Sequence, residues 1–83
     1  MFYTYILISG KTGKYYIGST NNVANRLKRH NQGYIRSTKA YRPWKLLYTE
    51  KYQTLGKARA RENQVKNWTS RDAIEKLISA PFV

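Results

Sequence analysis

Residues 2–20 read Phe2-Tyr3-Thr4-Tyr5-Ile6-Leu7-Ile8-Ser9-Gly10-Lys11-Thr12-Gly13-Lys14-Tyr15-Tyr16-Ile17-Gly18-Ser19-Thr20. Two apolar runs flank a short polar connection with two glycines, Ser9 to Lys14, and that pattern predicts a β-hairpin. The first run is apolar on both alternating faces, Phe2, Ile6 and Ile8 against Tyr3, Tyr5 and Leu7, as expected of a central strand covered on both sides. Pairing residues 2–8 with 15–20 brings Tyr5 close to Tyr16. Gly18 lies two residues after Tyr16 on the same strand face, where a missing side chain leaves room for a substrate backbone beside the phenol. A bulge or a close helix contact explains a lone strand glycine equally well.

Working outward, Asn21 or Asn22 can cap a helix running to about Gln32, with Gly33 as its stop. A polar loop over 33–43 carries Tyr34, Arg36, Lys39, Tyr41 and Arg42. Trp44 to Tyr52 reads as a third strand with Trp44, Leu46, Tyr48 and Tyr52 on one face. Thr54 caps a second helix over roughly 55–67, and Thr69 with Asp72 fits a capping box for a third carrying Ile74, Leu77 and Ile78, ending before Pro81. The expected fold is α+β, a three-stranded antiparallel sheet flanked by helices in the order ββαβαα.

The 83 residues suit one domain with one modest core, spanning 1–83. Sixteen Lys and Arg against four Asp and Glu give a net charge of +12, which points to a polyanionic partner. Nucleic acid is favoured over a membrane surface, because the helical stretches read as core-packing rather than as basic amphipathic helices. Cysteine is absent, excluding a disulfide framework and a thiolate metal site. No basic leader region and no apolar stretch of membrane-spanning length is present, so the cytoplasm is the expected compartment.

Val23, Arg26, Leu27 and His30 fall within one arc of the first helix, so Arg26 and His30 border its buried face and point toward the sheet. The plain reading makes Arg26 a snorkelling edge residue and His30 a helix-end cation. Glu62 is sharper: Leu55, Ala58, Glu62 and Val65 place a carboxylate inside an apolar stripe, costly unless paired or bound to metal. A bridge to Lys66 one turn later is the structural alternative, and function and structure stay open here. Only Glu50, Glu62, Asp72 and Glu75 are acidic, and they are scattered, which argues against a two-metal cage. One Mg²⁺ on a single carboxylate, completed by water and substrate phosphate, is compatible.

Together these pieces resemble the GIY-YIG endonuclease superfamily over nearly the whole chain, in the form of its small single-domain bacterial branch. The first motif stands here as Tyr3-Thr4-Tyr5 and the second as Tyr16-Ile17-Gly18. Arg26 and His30 fall where the family has its helix arginine and following histidine, and Arg61 to Trp68 resembles the segment around its metal-binding glutamate. The resemblance implies Mg²⁺- or Mn²⁺-dependent hydrolysis of DNA phosphodiesters. Tyr5 would be general base or water-positioning group, with Tyr16 beside it at the scissile phosphate. Arg26 would stabilise transition-state charge, His30 would assist proton transfer or orient the water, and Glu62 would ligate the metal. A free phenol has a pKa near 10, so a base role for Tyr5 needs help from cations nearby. Some relatives use an asparagine on the helix after the glutamate; at that spacing this chain has Ile74, with Asn67 the nearest substitute.

The expected nucleic-acid surface is the loop bearing Arg36, Lys39 and Arg42 and the helix bearing Lys57, Arg59, Arg61, Lys66 and Arg71. Phosphate contacts do not read sequence, so structure-selective or weakly selective cleavage is expected. The alternatives are a non-catalytic nucleic-acid-binding module of the same fold, or a subunit that needs a partner for activity.

Overall fold

The computed structural model describes residues 1–68 and 71–79. Its elements are β1 (Phe2–Ser9), β2 (Tyr15–Thr20), α1 (Val23–Gln32), a 3₁₀ turn (Lys39–Tyr41), β3 (Trp44–Tyr52), α2 (Leu55–Lys66) and α3 (Arg71–Ser79). The three strands form one antiparallel sheet in the order β2-β1-β3, so the strand that is apolar on both faces is central, and the order ββαβαα holds. The capping box expected from Thr69 and the stop at Pro81 lie outside the described residues.

Local chemistry accounts for most of the boundaries. The hairpin closes on Ser9, whose buried hydroxyl accepts from the backbone N–H groups of Lys11 and Thr12 and donates to the Tyr41 carbonyl at 2.6 Å. Asn22 caps α1 by accepting from the N–H of Asn25 at 3.0 Å, and Thr54 caps α2 by accepting from that of Lys57 at 3.2 Å. Gly33 ends α1 with φ of 82°, a left-handed conformation that suits glycine.

A hydrophobic layer lies on each face of the sheet. Ile6 and Ile17 pack with Val65 of α2 and Ile74 of α3. On the opposite face Tyr5, Leu7 and Trp44 pack with Tyr16, Tyr41 and Leu46 and with Val23 and Leu27 of α1. Buried Thr4 donates its hydroxyl to the carbonyl of Ala58 at 2.7 Å and so ties α2 to the central strand.

One expectation is corrected. Trp44, Leu46, Tyr48 and Tyr52 do not share a face of β3: Tyr48 pairs with Ile6 and Leu46 with Leu7, leaving Leu47 as an extra residue in a bulge. A one-residue insertion reverses the alternation beyond it. Trp44 and Leu46 therefore pack with Tyr5 and Leu7, whereas Tyr48 packs with Ile6. No helix among the described residues is long and apolar enough to cross a membrane.

Candidate active site

Tyr5 and Tyr16 extend from adjacent strands on the face covered by α1, with ring centroids 6.3 Å apart. In register, Tyr5 stands opposite Gly18, and a Cβ built at Gly18 would lie 2.5 Å from the Tyr5 hydroxyl oxygen and 2.7 Å from Cζ. The expected clearance at Gly18 is thus filled by the chain's own phenol rather than left open to substrate. Tyr5 reaches across the edge strand only because Gly18 has no side chain.

His30 is 0 % exposed, so it belongs to the core and is no edge residue of α1. Its ring lies 4.8 Å from that of Tyr16, Nε2 is 3.1 Å from the Tyr5 hydroxyl, and Nδ1 is 2.8 Å from Oγ1 of Thr38. Burial, reinforced by the Arg26 charge, lowers its pKa to about 4, so the imidazole is neutral at pH 7. Burial also raises the pKa of Tyr5, helped by Tyr16 and Glu62, and outweighs the downward pull of Arg26 through charge and hydrogen bonding. Tyr5 is a protonated phenol at neutral pH, not a standing phenolate. At 1 % exposure Tyr5 is buried, whereas Tyr16 and Arg26 are half-buried.

Glu62 approaches the sheet from the other face. One carboxylate oxygen accepts from the Ser19 hydroxyl at 2.6 Å and the other from the Lys66 ammonium at 2.6 Å. Burial favours its neutral form, but the hydrogen bonds from Lys66 and Ser19 and the charges of Lys66 and Arg59 outweigh that and lower the pKa, leaving it ionised at pH 7. Ser19 follows Gly18 directly, so the two halves of the site meet across the β2 edge where the side chain is missing. Ile74, at the spacing where some relatives have asparagine, is buried in the core, and Asn67 is the exposed C-cap of α2.

The basic residues fall into two groups. Arg36, Lys39 and Arg42 line an open cleft of about 620 Å³ together with Lys11 and Asn31. Lys57 and Arg59 are exposed on α2. Arg61 is committed elsewhere: its guanidinium donates to both Glu50 oxygens, at 2.8 and 3.1 Å, and lies 5.4 Å over the Trp68 ring. Lys66 is engaged by Glu62, while Arg71, which begins α3 and does not share the helix of Lys57, pairs with Glu75 at 3.4 Å and lies 4.3 Å over the Tyr15 ring. Sequence reasoning missed Lys11, Ser19 and Thr38. Lys11 is a turn residue that only the folded loop brings to the cleft. The two hydroxyl residues carry no periodic signal.

A β-hairpin presents paired tyrosines to an arginine and a histidine on the next helix, with a glutamate from α2 beyond the edge strand. The chain belongs to the GIY-YIG family: residues 1–76 match the model of the GIY-YIG catalytic domain. Among similar proteins, a UPF0213 protein of Clostridium perfringens is 36% identical over 84 residues, covering 100% of this chain and 88% of that protein. A UPF0213 protein of Staphylococcus aureus is 35% identical over 64 residues, 76% of this chain and 78% of its own length. The solution NMR structure of a UPF0213 protein from Bacillus halodurans matches with a TM-score of 0.59 at 34% identity, over 95% of this chain and 84% of that one.

Proposed function

We propose that this protein is a metal-dependent endonuclease that hydrolyses DNA phosphodiesters with structure-selective or weak sequence preference. The observation that carries the reading is the meeting of Tyr5, Tyr16, Arg26 and His30 on one side of Gly18 with Glu62 on the other. Arg26 is the cation placed for the charge that develops on the phosphate in the transition state. The Tyr16 hydroxyl has no hydrogen bond among the described residues and is free to bond a phosphate oxygen or a water. Tyr5, protonated at rest, orients the attacking water and takes a proton only as its own hydrogen moves toward His30.

The donor chemistry fits one hard divalent cation. Among the described residues no three His, Cys, Asp or Glu side chains cluster, so Glu62 would be its lone carboxylate, with the Ser19 hydroxyl as a neighbouring oxygen. Mg²⁺ or Mn²⁺ held there would neutralise phosphate charge. The Lys66 ammonium, on a side chain that is 45% exposed, is the group that would give way. The cleft of Lys11, Arg36, Lys39 and Arg42 and the exposed Lys57 and Arg59 supply the phosphate track.

A second reading, a nucleic-acid-binding module without turnover, is favoured by the 1 % exposure of Tyr5 and by the full engagement of Glu62. Incubating the protein with labelled duplex, branched and single-stranded DNA and RNA, with and without Mg²⁺ or Mn²⁺, separates the two. We expect metal-dependent cleavage that falls roughly a hundredfold to a thousandfold in Arg26→Ala, the loss typical of one electrostatic transition-state contact. Binding without cleavage of any of these substrates would favour the module.

A further inference from the structure

The contacts of His30 form part of a hydrogen-bonded row that ends on a group of fixed polarity. At one end the Tyr5 oxygen stands in the field of the Arg26 charge. At the other end the Ile35 carbonyl, which can only accept, lies 3.3 Å from Oγ1 of Thr38. Between them stand Tyr5 Oη to His30 Nε2 at 3.1 Å and His30 Nδ1 to Thr38 Oγ1 at 2.8 Å. Running from Tyr5 to Ile35, every group can donate to the next: Tyr5 O–H to Nε2, Nδ1–H to Thr38, and Thr38 O–H to the carbonyl. The reverse order would set lone pairs of Thr38 against those of Ile35.

Thr38 is well placed to impose that order. It is 1 % exposed, its N–H donates to the Ile35 carbonyl at 3.1 Å, and its own carbonyl accepts from the Trp44 indole at 2.9 Å. Asn31 holds the Trp44 backbone in turn, donating to its carbonyl at 3.0 Å and accepting from its N–H at 2.6 Å. The hydroxyl therefore meets His30 from a backbone fixed by other contacts.

We infer that Thr38 is a positioning residue that locks His30 in the Nδ1–H tautomer, keeping Nε2 as the acceptor for the Tyr5 hydrogen. With that hydrogen turned inward, the lone pairs of the phenol remain to accept from a water entering beside it. Because His30 is neutral, it serves as a fixed acceptor that orients the phenol and does not store a proton in the resting site. The link to cleavage rests on the role proposed above for Tyr5, whereas the tautomer itself does not.

The chain has a single histidine, so the imidazole signals of ¹⁵N-labelled protein belong to His30 without further assignment. In the unsubstituted protein at neutral pH, long-range ¹H–¹⁵N correlation is expected to show Nδ1 protonated and Nε2 bare. An Nε2–H tautomer would overturn the inference before any variant is made. Thr38→Val removes the hydroxyl at nearly constant shape and is expected to mix or reverse the tautomers, while Thr38→Ser keeps them. Single-turnover cleavage is expected to fall about tenfold in Thr38→Val, the size of one hydrogen bond, and to stay near the parent rate in Thr38→Ser. An unchanged tautomer in Thr38→Val, or a changed tautomer with unchanged cleavage, would refute the positioning role. Should the parent protein cleave nothing, the tautomer result would stand and the nuclease reading alone would fall.

Discussion

Gly18 governs how far the Tyr5 phenol reaches across the sheet. Any Cβ there would sit 2.5 Å from the hydroxyl oxygen, 2.7 Å from Cζ and 3.1 Å from Cε2 of Tyr16, and the ring it meets is held by His30. Gly18→Ala must therefore displace Tyr5 or bend β2, and overpacking of this kind costs roughly 1–3 kcal/mol. Gly56, in the first turn of α2, has nothing within 4 Å of a built Cβ, so Gly56→Ala should instead stabilise by about 0.4–1 kcal/mol. Thermal melts of the two variants are expected to shift in opposite directions; a harmless Gly18→Ala would mean that Tyr5 does not need the gap. The closeness of Tyr5 and Tyr16 was legible in the sequence, because it follows from hairpin pairing alone. What fills the space at Gly18 was not, since strand alternation says which face a residue takes and nothing about how far a partner's ring extends.

At the scale of elements, α2 is fastened to β3 by the half-buried Glu50, whose carboxylate accepts from Tyr48 at 2.6 Å, Tyr52 at 2.7 Å and Arg61 at 2.8 and 3.1 Å. The bulge at Leu47 makes this arrangement, since it turns Tyr48, Glu50 and Tyr52 toward α2. No alternation pattern could have announced it: an inserted residue changes the face of everything beyond it without changing composition. The caps at Asn22 and Thr54 were legible for the opposite reason, being set by neighbours three residues apart. Burial acts to raise the Glu50 pKa, but the hydrogen bonds from Arg61, Tyr48 and Tyr52 outweigh it and lower the pKa below the usual 4.5. A carboxylate lowered on folding contributes stability above its unfolded pKa and loses it as pH falls through the folded value. Glu50→Gln should thus cost about 1–3 kcal/mol at pH 7, moderated by partial exposure, and less at an acid pH below the folded value, where the parent carboxyl is itself protonated. Equal losses in urea titrations at the two pH values would show that packing, not charge, makes the joint.

For the whole molecule the deciding quantity is how its positive charge is spread. Of sixteen basic side chains, Arg61, Lys66 and Arg71 are each paired with a glutamate, while Lys11, Arg36, Lys39 and Arg42 gather round one cleft. The longest dimension is 33 Å, close to one turn of duplex at roughly 34–36 Å, so a footprint covers about one turn and not several. Contact with about four to six phosphates over that length predicts that log affinity falls against log salt with a slope of about −3 to −5. Replacing Arg36, Lys39 and Arg42 together with Ala should make the slope shallower by about 2 to 3 and weaken binding evenly across sequences. Arg61 supplies the contrast, since its charge is already met by Glu50: Arg61→Ala should lower stability yet leave the slope nearly unchanged. Fluorescence anisotropy with labelled duplexes over a range of salt concentrations measures both. A flat salt dependence in the parent would remove nucleic acid as the partner, and an unaltered slope in the triple variant would move the phosphate track away from the cleft to the exposed Lys57 and Arg59 on α2.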